Sequence, residues 1–195
     1  MNTFNPQRRK LLQYGFMGLG AFVGNALLPS AVRSAALLAG LGELLPPDRN
    51  GVRLPAGFTS RIVAHSSQKL FDYRWHAAPD GGAMFAAPDG GWIYVSNSEL
   101  DKQAGGAGAL RFNSQGDIAD AYPVLSHTNR NCAGGHTPWH TWLSCEETDT
   151  GRVWECDPFG RQAAQVRSAL GVFRHEAVAV DTQNKQLYLT EDQPD

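Results

Sequence analysis

From Val52 onward, short β-prone runs alternate with clusters of Gly, Asp, Asn and Pro. They are FTSRIVA (58–64), AMFAA (83–87), WIYVSN (92–97), ALRF (109–112), HTWLSC (140–145), RVWEC (152–156), EAVAV (176–180) and QLYLT (186–190). Aromatic and β-branched residues in runs this short, spaced roughly ten residues apart, predict an all-β architecture. A helix-capable stretch over residues 35–45, ended by Pro46 and Pro47, precedes them. A longer period lies over the short one. WIYVSNSE, HTWLSCEE and QLYLTED are each an aromatic–aliphatic strand, then Ser or Thr, then acid. Tyr94, Trp142 and Tyr188 stand at matching places, at intervals of about 45 residues, the period of a β-propeller blade. About three copies fit between Phe58 and Asp195. Closed propellers typically have about 4–8 blades, so the expectation is an incomplete set of about three.

The repetition gives the acids a purpose. Glu99, Glu146, Glu147, Glu191 and Asp192 all stand at strand ends. Strands that line a common axis would bring such carboxylates together, and like charges that close need cations between them. The charge balance agrees. The chain has 17 basic and 19 acidic residues, and four of the bases, Arg8, Arg9, Lys10 and Arg33, fall in the first 42 residues, which hold no acid. The remainder is therefore acidic. It is a poor binder of nucleic acid or anionic lipid and a suitable host for hard cations with oxygen ligands.

The basic stretch reads as a targeting segment. NPQRRKLLQ is followed by an apolar, Gly-rich run over residues 14–28 and by small residues at Ser34, Ala35 and Ala36. A charged region, an apolar region and a small-residue region in that order make a signal peptide, here 1–36, with the mature domain at 37–195. The apolar run is short for a membrane span, which needs about 20 residues, so no anchor is expected after cleavage. The Arg8–Arg9 pair resembles a twin-arginine export signal, with Gln7 where that pattern usually has Ser or Thr. It implies the twin-arginine translocation machinery as a partner, export in the folded state, and a periplasmic or extracellular location.

Chemistry concentrates in residues 131–147, NCAGGHTPWHTWLSCEE. Gly134 and Gly135 would admit the backbone close to something bound. Cys132 is a candidate thiolate ligand, which needs a nearby cation near neutral pH. A disulfide with Cys145 or Cys156 is the alternative, and the acids of the Cys-Glu-Glu triplet favour a metal. His136 and His140 flank Pro138 and so share no helical face; they read as structural. Trp139 and Trp142 read as core. The sequence has no Gly-x-Ser-x-Gly nucleophile turn, no Walker loop and no Cys-x-x-Cys pair.

The same block resembles the signature of the PhoX family of alkaline phosphatases. VSNSE (95–99), FRHEAVAVD (173–181) and LYLTEDQPD (187–195) follow that family's pattern in order, with Ser98 in place of a usual His and His140 in place of a usual Gly. The resemblance implies a β-propeller with a central cluster of iron (Fe3+) and calcium (Ca2+). In it Cys132 would be a thiolate shared by the irons. Glu146, Glu147, Glu176 and Glu191 would be carboxylate ligands, with Glu99 and Asp192 as lesser candidates. A phosphate-binding arginine would lie beyond Asp195, and the catalytic residues themselves stay unassigned. The implied activity is phosphate release from small organic phosphate esters by a monomeric enzyme. Two other readings stand beside it. One is a calcium-dependent propeller hydrolase of lactones or phosphotriesters, with no need for Cys132. The other is a non-enzymatic propeller presenting Trp75, Trp92 and Trp139 to sugars.

Overall fold

The structure, a computed structural model, describes residues 41–193, so the targeting segment lies outside the described residues. So does most of the helix-capable stretch; its last residues, 41–45, form no helix. The chain divides into two compact units. In the described part of the first, a loop folds back so that Leu44 bridges Pro55. The Asp48 carboxylate accepts from the backbone N–H groups of Asn50 and Val52 and so closes the turn.

The second unit, residues 62–193, is all-β. A short ribbon, β1 (Lys69–Leu70) and β2 (Tyr73–Arg74), precedes a four-stranded antiparallel meander. That meander is β3 (Pro79–Ala86), β4 (Trp92–Ser98), β5 (Gly105–Phe112) and β6 (Ile118–Thr128). A second meander of the same topology follows: β7 (Asn131–His136), β8 (Trp142–Glu146), β9 (Val153–Cys156) and β10 (Gln165–Val166). A hairpin of β11 (His175–Asp181) and β12 (Gln186–Glu191) ends the described chain, and none of these sheets closes on itself. The expected strand over residues 58–64 does not form; that stretch is irregular.

Alternation along β8 explains how the layers stack. Side chains of a strand point to opposite faces in turn. Trp142 packs into a core with Phe85, Ile93, Val95, Ala107, Ala109, Val124 and Leu125 of the first meander. Leu143 and Cys145 face the other way, into a core with Val153 of β9 and Val178 of β11. The second meander is thus the middle layer, apolar on both faces, as a strand buried on two sides must be. Trp142 is core as expected, but Trp139 is half exposed, because it sits on the turn between β7 and β8.

The first strands of the three hairpins, β3, β7 and β11, lie side by side, with β7 between the other two. Glycine permits this. A Cβ on Gly81 of β3 would come within 2.7 Å of the Ala133 Cα, and one on Gly135 of β7 within 2.0 Å of the Val178 carbonyl oxygen. The close approach that Gly134 and Gly135 permit is one to neighbouring backbone, at the carbonyls of Leu143 and Val178.

Candidate metal centre

The three hairpins share one irregularity. The β3–β4 register slips between Pro79 and Gly82, that of β7–β8 between Asn131 and Gly134, and that of β11–β12 between His175 and Val178. A bulge carries an extra residue and re-aims its side chain. The bulges contain Asp80, Cys132 and Glu176 at equivalent places. Just beyond each second strand the chain is tied back to the first by a backbone bond. Glu99 N–H donates to Ala78 O at 2.9 Å, Glu147 N–H to Arg130 O at 2.9 Å, and Asp192 N–H to Arg174 O at 3.2 Å. Glu99, Glu147 and Asp192 are thereby equivalent, and the repeat inferred from sequence exists as repeated geometry. One detail differs: the register makes Leu187, not Tyr188, the counterpart of Tyr94 and Trp142. An aromatic residue one place along the strand had masked the true alignment.

Cys132 and Glu176, from two bulges, meet Glu147 from the end of β8, with one ligand atom of each within 4.8 Å of the others. The Cys132 thiol is nearly inaccessible and lies 3.3 Å from the His175 carbonyl and 3.6 Å from that of Glu176. Burial pushes this thiol well up from its ordinary range, and the nearby Glu176 charge pushes the same way, against a backbone N–H bond from Ala133. Without a cation it is a protonated thiol. Burial also raises the Glu147 carboxyl, assisted by the charges of Glu99, Asp192 and Glu176 and opposed by Arg130. This is a pocket of crowded acids, the arrangement that a bound cation relieves. A thiol with two carboxylates offers a soft donor beside hard ones, so the donor set fits a transition metal at the sulfur and a hard ion at the oxygens.

A cation, Arg130, stands among these acids. Its guanidinium Nη2 lies 3.2 Å from Glu99 and 3.2 Å from Glu147, bridging the two. It stands immediately before β7, as Arg174 stands immediately before β11. Arg174 pairs with Asp149. Two guanidinium groups therefore stand at corresponding places beside the acids.

The other expected ligands are placed differently. The Glu146 carboxylate is turned into its own sheet, where it accepts from the backbone N–H groups of Asn129 (2.9 Å) and Arg152 (3.2 Å) and from the Trp154 indole (3.1 Å). Glu191 pairs across the hairpin with His175 and is exposed, with Gln193 donating to it at 3.2 Å. Asp192 is exposed and acts on Glu147 through its charge. Ser98 is buried and donates to the Ala77 carbonyl at 2.8 Å, away from the acids. His175 is fully buried against the Phe173 ring, its Nδ1 without a partner, and burial lowers its pKa, so it is neutral. His140 adopts a left-handed φ of 66°, the conformation that suits the Gly usual at that place. All three cysteines are free, so the disulfide alternative falls.

No curated protein and no solved structure matches the chain. The family model of alkaline phosphatase PhoX matches residues 74–195, a span that takes in both meanders, the final hairpin and every member of the Cys132–Glu147–Glu176 cluster, and the chain belongs to that family.

Proposed function

We propose that this protein is a metal-dependent phosphomonoester hydrolase that releases phosphate from small organic phosphate esters. The observation that carries the reading is the convergence of Cys132, Glu147 and Glu176 in a chain of the alkaline phosphatase PhoX family. The two meanders and the hairpin serve as three blades of a propeller whose axis runs beside β3, β7 and β11. Cys132 would hold iron, and Glu147 and Glu176 would share iron and calcium. Glu99 and Asp192 stand at the equivalent strand ends and complete the ring of oxygen donors; Glu191 and Glu146 lie beside it. Bound cations would reverse the sign of an acidic site that otherwise repels phosphate, polarise the phosphoryl oxygens and stabilise the leaving alkoxide. The chain's own residues would hold those cations, with Arg130 and Arg174 adding positive charge nearby.

The decisive measurement is elemental analysis of the purified exported protein, paired with hydrolysis of an aryl phosphate. Iron and calcium are expected together with activity that a chelator removes. Zinc alone, or calcium alone with lactone hydrolysis, would refute this assignment in favour of another hydrolase.

The same reading includes export by the twin-arginine route to the periplasm or beyond, since a metal cluster is best loaded into a folded chain before translocation. Lys lacks the planar fork of donors that the guanidinium pair presents. Replacing both Arg8 and Arg9 with Lys is expected to strand the protein in the cytoplasm. Cell fractionation checks this, and unchanged export would point to the general secretory route.

A further inference from the structure

Asn97 of the VSNSE motif has no part in the cluster but touches the segment that carries its thiol. It lies on β4, fully buried, facing the second meander. Its amide nitrogen donates to the carbonyl oxygens of Cys132 (3.0 Å) and Ala133 (2.8 Å), the two residues of the β7 bulge. Its amide oxygen accepts from the Trp142 indole (2.9 Å) and the Ser144 hydroxyl (2.8 Å) of β8. Two donors and two acceptor sites are all that an Asn side chain offers, and every one is used. A bulge lacks the regular ladder that fixes a strand. Here the bulge that aims the thiol is tied down from the neighbouring sheet instead.

The counterparts of Asn97 do not do this. In the second hairpin the equivalent residue is Cys145, and in the third it is Thr190, whose hydroxyl takes the N–H of Ala177 in its own bulge. From the second meander it is the Cys132 thiol itself that reaches the next bulge, at the His175 and Glu176 carbonyls, whereas Asn97 holds the bulge that carries Cys132.

We propose that Asn97 is the positioning residue of the metal centre, fixing the Cys132–Ala133 segment so that the thiol meets Glu147 and Glu176. The proposal rests on the metal-binding reading above, and its test separates the two. Asn97→Asp keeps the size and the acceptor side, but places carboxylate oxygen against two carbonyls. Asn97→Ser removes the reach without adding charge. Trp142→Phe removes a donor from the other side of the same amide and leaves the bulge contacts in place.

Two readouts apply. The first is the iodoacetamide alkylation rate of each cysteine in metal-stripped protein, resolved by peptide mass spectrometry. The second is Cd2+ affinity followed by thiolate–cadmium absorption. Loss of a residue that orients a ligand typically costs about 10–100-fold in metal affinity. Both Asn97 variants are expected to weaken Cd2+ by that factor and to speed alkylation of Cys132 about tenfold, with Cys145 and Cys156 unchanged, as expected of a ligand released from its oriented place. Trp142→Phe should leave both readouts within about twofold, because it spares the contacts that orient the ligand. Unchanged Cys132 reactivity in the Asn97 variants, equal acceleration at all three cysteines, or the same effect from Trp142→Phe would each overturn the proposal. Absence of thiolate–cadmium absorption in the unsubstituted protein would instead overturn the metal reading, with the alkylation comparison still deciding the role of Asn97.

Discussion

Replacing Cys132 with Ser should abolish iron retention and lower aryl phosphate hydrolysis by on the order of a hundredfold or more, while leaving the metal-free fold intact. The two halves of that expectation have different causes. The thiol is buried among the carbonyls of Cys145, His175 and Glu176. A hydroxyl is slightly smaller and a better donor to those carbonyls, so the substitution leaves no buried group unsatisfied and opens only a small gap. Metal binding is another matter. The thiolate is the soft donor of the cluster, and Ser in its place is a neutral hydroxyl that binds a transition metal weakly. Loss of an orienting partner alone costs about 10–100-fold in affinity, and loss of the ligand should exceed that. The checks are iron per chain by elemental analysis, the hydrolysis rate, and thermal unfolding of the metal-free proteins. Full iron content and an unchanged rate in the variant would remove Cys132 from the chemistry and favour the calcium-only hydrolase.

What could be read from sequence followed from the period of a strand. The runs that become β4, β8 and β12 carry strong β-formers and end in acids, so both the strands and Glu99, Glu147 and Asp192 were visible. Their true phase was not. Tyr188 stands one place past Leu187, the true counterpart of Tyr94 and Trp142, and the strand register with the backbone bonds from Glu99, Glu147 and Asp192 shows which acids correspond. β7 was invisible as a strand because Gly134 and Gly135 have low β propensity; they are there because β8 and β11 press against that strand. Glu146 and Glu147 are adjacent and alike in chemistry. Their opposite fates come from alternation, which turns the first into its sheet and leaves the second free to face the thiol. Arg130 had no signal of its own type, and Asn97 stood in the VSNSE motif without a role. A cation among acids and an amide at a strand end acquire meaning only through what lies 30-odd residues away, Glu99 for the first and Cys132 for the second.

Gly135 is a position where the smallest substitution should do large damage to fold and metal centre together. Gly135→Ala is expected to destabilise the fold by about 4 kcal/mol or more, in the range reserved for exceptional changes. The added Cβ would lie 2.0 Å from the Val178 carbonyl oxygen and 2.9 Å from its carbon, so it meets backbone and not the movable end of a side chain. Relief requires β7 and β11 to part. Their separation opens the core of Cys132, Leu143, Cys145, Val153 and Val178, and it also pulls Cys132 on one strand away from Glu176 on the other. Stability and metal binding should therefore fail together. Gly90→Ala supplies the contrast. Gly90 has a left-handed φ of 81°, but the nearest atom to an added Cβ is the Ser114 Cβ at 3.7 Å, so only the backbone penalty of about 1–2 kcal/mol applies. Gly90 lies on the turn between β3 and β4, outside the cluster, and its substitution should leave Cd2+ affinity unchanged. Denaturant unfolding of both variants, with Cd2+ titration alongside, decides the matter. A Gly135→Ala variant no less stable than Gly90→Ala, with metal affinity retained, would mean that the two strands do not press together as the glycine contact requires.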